Sequence, residues 1–185
     1  MADAIAADTS RNDLLKIAAG GLVSGVLTPL MPALLEYVSG APRVLQTGLV
    51  ALPFAVLVFF VVRRRSPNPV WAAVLAAIIT MVAFVGAVHA AVAVDAQLVG
   101  GARAINNLLV GLTGGLVGSA LMAFGIALLP ASPRRAAPWL PMLVTGAVAG
   151  SLLALDSALG LDRTSVLYPV WQAAVVARLA TALRR

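Results

Sequence analysis

Six long apolar segments run through the chain, each closed by a short polar or proline-rich interval. They cover approximately residues 14–38, 44–62, 70–94, 104–129, 139–159 and 166–183. A helix needs about 20 apolar residues to cross the ~30 Å hydrocarbon core of a bilayer. The pattern therefore predicts an all-α fold: a polytopic integral membrane protein built as a compact bundle of six transmembrane helices. The sixth segment is the weakest of the set. It contains Pro169, Gln172 and Arg178 and reaches only ~27 Å as a helix. Residues 1–13 read as a polar cytoplasmic N-terminus, and 14–185 as a single six-helix domain. Within "SRND", Ser10 is placed to cap the first helix, with Asp13 three residues on.

The basic residues set the expected topology. Arg11, Lys16, Arg63–Arg65, Arg134, Arg135, Arg178, Arg184 and Arg185 fall on one side of a six-span layout, and only Arg43, Arg103 and Arg163 on the other. Positively charged loops stay in the cytoplasm. Both termini are accordingly expected there, in a cell (inner) membrane. The sequence pI of 11.3 is then a topology signal and a contact with anionic lipid headgroups, and nucleic acid is not an expected partner. Composition agrees. The chain is 61% hydrophobic and 11% charged, with mean hydropathy +0.99, whereas soluble domains carry about a quarter charged residues. The start lacks the basic stretch and cleavage site of a signal peptide. Trp71 and Trp139 at the inner boundary, with Tyr168 and Trp171 at the outer, form an expected interfacial belt.

Small residues four apart let membrane helices approach closely. The first segment carries Gly21 and Gly25, the fourth Gly111, Gly114, Gly115 and Gly118, and the fifth Gly146 and Gly150. These are expected packing faces, either within one bundle or at a homodimer seam. Pro29, Pro32 and Pro53 each remove a backbone donor and predict kinks.

Polar side chains gather toward the outer ends of the segments. Glu36, His89, Asn107, Asp156, Tyr168 and Gln172 are the candidate ligand-binding set. Ionisable groups inside a membrane are functional candidates by default. A structural reading stands beside this one. His89 lies ~28 Å along its helix, at the rim, where a neighbouring carbonyl can satisfy it. Asp156 has no local partner and asks for Arg103, Arg163, His89 or a cation.

The pattern excludes several chemistries. With no cysteine and one histidine, neither thiolate nor bis-histidine metal ligation is available within the chain. No catalytic motif, metal site or cofactor site is found, and no enzyme activity is expected. Two functions remain. One is solute binding or transport through an outward polar pocket. The other is a non-catalytic accessory or scaffold subunit, with the lipid bilayer and a second copy or a membrane-protein partner as its contacts. In size and six-span layout the chain is similar to the substrate-binding subunits of energy-coupling-factor vitamin transporters. That likeness is architectural, and no family motif accompanies it.

Overall fold

The computed structural model describes residues 2–36, 42–98, 100–161 and 165–184, with side chains described from Arg11 onward except those of Glu36 and Arg43. All regular structure among these residues is helical. The first apolar segment forms α1 (Ala2–Leu27), a 3-10 turn (Thr28–Leu30) and α2 (Met31–Glu36). The turn falls where Pro29 and Pro32 each lack an N–H and crowd the carbonyl four residues back. The second segment forms α3 (Arg43–Val50) and α4 (Leu52–Arg65), bent by 58° at Ala51, just ahead of Pro53. Next come α5 (Val70–Asp95), α6 (Arg103–Ala127), α7 (Leu140–Gly150), α8 (Leu153–Ala158) and α9 (Leu167–Ala182).

Among the described residues, four stretches are long and apolar enough to cross a membrane: Arg11–Leu35, Val70–Asp95, Arg103–Ala127 and Leu140–Ala158. The bent α3–α4 pair makes a fifth if it counts as one span. The expected six spans are thus not established. The sixth expected segment folds as α9, but its 16 residues rise only ~24 Å, short of the hydrocarbon thickness. Burial explains its weak apolar signal. Helix α9 packs against α1, α4, α6 and α7, and Val175, Val176, Leu179 and Ala180 are completely buried. Its buried face can carry Gln172, a polar group that a lipid-facing position disfavours. The outer helices show the opposite. Val23, Val82, Phe124 and Val148 are each more than 60% exposed, a surface that water would disfavour and acyl chains solvate.

Glycine seams hold the bundle together. Gly21 backs onto the main chain of Ala173, and Gly25 onto that of Pro169, so α1 and α9 run antiparallel. Gly111 faces Gly150, and Gly115 faces Gly146, along an antiparallel α6–α7 seam. A methyl on any of these six would collide with backbone or with Ser119. Gly114 and Gly118 point elsewhere, toward Ala87 and Ala91 of α5.

The end bearing Arg63–Arg65 is stapled by polar contacts. Asn68 is buried. Its amide donates to Ser66 Oγ (2.9 Å) and Ser132 Oγ (3.4 Å), and its carbonyl accepts from the Ala131 N–H (2.9 Å). Trp139 Nε1 donates to the Pro133 carbonyl at 2.9 Å. Trp139 is therefore a buried staple, unlike Trp71, which is 58% exposed and free to sit at an interface. Arg65 pairs with Asp13 at 3.0 Å, and α1 runs from Ala2 straight through Ser10, so no helix begins at the expected cap.

Candidate functional site

At the end opposite Arg63–Arg65, the short helix α8 carries Asp156 against the start of α9. Asp156 is buried. Its Oδ1 accepts the Val166 N–H at 2.9 Å, and its Oδ2 accepts the Leu167 N–H at 3.3 Å and the Ser165 hydroxyl. The first turn of a helix leaves backbone donors without intrahelical partners, and a carboxylate there is favoured by the helix dipole. Asp156 caps α9 from a neighbouring element. The partners that local sequence did not supply are the Ser165 hydroxyl and two main-chain N–H groups, nine to eleven residues further on. Arg163, one of the expected partners, lies outside the described residues.

Gln172 is nearly inaccessible, at 2% exposure, and closes a clamp between α9 and α1. Ser24 Oγ donates to its carbonyl oxygen (2.7 Å), and its amide donates to Thr28 Oγ1 (2.8 Å). Thr28 in turn donates to the Ser24 carbonyl at 3.0 Å. Both ends of the Gln172 amide are satisfied one turn before the proline break of α1.

A cleft of about 200 Å3 lies between α4, α5, α6 and α9. Phe54, Phe84, Tyr168 and Trp171 bound it, with Gly114 and Gly118 of α6 among its other wall residues. Thr80, ten residues into α5 and so ~15 Å along it, is its deepest polar residue on that helix. Trp171 donates Nε1–H to the Gly146 carbonyl (3.0 Å) and sets its ring edge-to-face with Phe54 at 5.8 Å. It is a wall of the bundle interior, not the interfacial anchor expected of it. Phe84 and Tyr168 approach across the cleft with ring centroids 6.2 Å apart. A second, more polar cavity of about 430 Å3 adjoins it. Arg103, Asp156, Ser157 and Ser165 line this vestibule, and it shares Leu153, Leu167 and Tyr168 with the cleft. Arg103 is exposed, and no ion pair or hydrogen bond engages it among the described residues.

Of the six candidate residues, the structure brings Asp156, Tyr168 and Gln172 to these two cavities. His89 is not with them. Its side chain is exposed and its Nδ1 lies 2.8 Å from the Val85 carbonyl on its own helix, the self-satisfied arrangement that suits a residue at the rim. Asn107 is half-buried, lines neither cavity, and makes no side-chain hydrogen bond among the described residues. Its neighbour Asn106 instead donates to the Leu98 and Gly100 carbonyls, fixing the α5–α6 turn where Gly100 and Gly101 hold φ of 83° and 94°. The Glu36 side chain lies outside the described residues. Sequence reasoning missed the aromatic enclosure. Its one available signal is the offset between Gly111/Gly115 and Gly114/Gly118, which addresses two different neighbours. Among the described residues no three metal-ligating side chains converge.

No family model matches the chain, and neither a curated protein nor a solved structure is similar to it.

Proposed function

We propose that the chain crosses a cell (inner) membrane six times, with both termini and the Arg63–Arg65 end cytoplasmic, and that it binds a small solute for transport from the opposite side. The observation that carries this reading is the adjoining pair of cavities, a polar vestibule against an apolar cleft that reaches toward mid-membrane. Ligand sites are concave, mostly apolar, and oriented by a few polar groups. The side of entry matters energetically. A molecule already dissolved in lipid gains little from a cleft as apolar as its surroundings. A solute arriving from water gains ~25 cal/mol per Å2 of apolar surface covered. The ligand therefore enters through the vestibule. With six crossings, α9 spans with one face buried on its neighbours and Arg178 exposed on the other.

The alternative, a scaffold subunit, expects glycine faces free for a partner. Gly21, Gly25, Gly111, Gly115, Gly146 and Gly150 are already occupied within the chain. The test is thermal stabilisation of the protein in mild detergent across a panel of vitamins, amines, organic acids and ions. A saturable shift that Arg103→Gln weakens and His89→Ala leaves intact supports solute binding. A flat panel, with co-purifying membrane proteins, favours the scaffold.

A further inference from the structure

Four of the chain's ten aromatic residues surround one cleft, contributed by α4, α5 and α9. Gly114 and Gly118 line the α6 side, where Ala87 and Ala91 of α5 and the Trp171 ring pack against them. The enclosed space is bounded by these rings and by apolar helix faces. Its ~200 Å3 exceeds the ~150 Å3 of an apolar cavity that stays dry and takes benzene. Aromatic walls favour offset or edge-to-face contact with another ring. The cleft itself carries no carboxylate or ammonium group among its lining residues. The charged groups stand outside it, in the vestibule, and there they are unequal. Asp156 is consumed by three donors at the start of α9, whereas Arg103 is uncommitted among the described residues.

Resting on the solute-binding reading above, we infer that the ligand is an aromatic acid: one or two rings seated among the aromatic walls of the cleft, with an anionic group in the vestibule toward Arg103. A cationic aromatic would place its charge beside Arg103. A flexible alkyl acid would match the charge and forfeit the ring contacts.

Trp171 lies in the cleft wall and reports occupancy directly. In a Trp71→Phe/Trp139→Phe background it is the sole tryptophan. Bromine quenches indole fluorescence on contact, so four probes of different class can be compared: 4-bromobenzoate, bromobenzene, 10-bromodecanoate and 4-bromobenzyl-trimethylammonium. Saturable quenching is expected with 4-bromobenzoate at the lowest concentration. Arg103→Gln is expected to weaken that probe by about two- to fivefold, the range of an exposed ion pair, and to leave bromobenzene unchanged. Equal or tighter quenching by the decanoate or the ammonium overturns the aromatic-acid assignment and leaves solute binding standing. Absence of saturable quenching by any of the four also overturns it, and the thermal panel then decides separately whether solute binding survives. The comparison among probes uses the Arg103-bearing protein alone, so it stands even where Arg103→Gln is poorly produced.

Discussion

Removing the Gln172 clamp should cost little, and removing its partner should cost more. Gln172→Leu deletes two hydrogen bonds, to Ser24 at 2.7 Å and to Thr28 at 2.8 Å. Interhelical hydrogen bonds in membrane proteins average about 0.6 kcal/mol, with a ceiling near ~1.7. The expected loss is about 1 kcal/mol. The partners are not orphaned, because Ser24 Oγ retains the Gly21 carbonyl (3.0 Å) and Thr28 Oγ1 retains the Ser24 carbonyl (3.0 Å). Thr28→Val reverses the situation. It leaves the buried Gln172 amide without its acceptor, an unsatisfied donor worth about 1–3 kcal/mol. The double variant should therefore be close to Gln172→Leu alone. Unfolding by steric trapping in bicelles, run as a double-mutant cycle, measures all three. Strict additivity, or a larger loss for Gln172→Leu than for Thr28→Val, would refute the clamp.

Other substitutions test other parts of the bundle. Gly115→Leu drives a side chain into the main chain of Gly146 and Gly150 and should destabilise by ~3 kcal/mol or more, seen as loss of monodisperse protein. Asp156→Ala should cost about 0.5–2 kcal/mol through the lost helix cap and increase amide exchange at Val166 and Leu167. Asn68→Ala breaks two contacts between the two loops at the basic end and one within its own loop, and should lower the melting temperature, with a loss of about 2 kcal/mol. His89→Ala should stay within ~0.5 kcal/mol of the unsubstituted protein.

Much of the helical plan was legible because bilayer thickness imposes it on composition. Val70–Asp95 and Arg103–Ala127 follow the apolar pattern to within a residue or two. The kinks were legible too, since proline acts locally. Helix α9 was harder. Its signal is diluted by Gln172 and Arg178, and only packing on its neighbours reveals that Gln172 is satisfied by protein while Arg178 stays exposed. The site was less readable again. Depth along a helix is countable, but facing direction needs the neighbours: His89 and Asp156 were placed at similar heights, yet one is exposed and the other is buried under α9. Two of the three partners of Asp156 are main-chain N–H groups, which carry no residue-type signature. The cleft arises from rings on three helices that no spacing rule connects.

The central claim is a bundle crossed six times, with the vestibule facing away from the basic end. The chain has no cysteine, so single-cysteine variants read without background. Sealed cells treated with a membrane-impermeant maleimide give the most direct test, with Ser157→Cys for the vestibule, Ala137→Cys for the basic end and Arg184→Cys beyond α9. The account predicts labelling of the Ser157 position in intact cells, and of the other two only after permeabilisation. Labelling of the Arg184 position from outside, together with the Ser157 position, would mean that α9 does not cross and would contradict it.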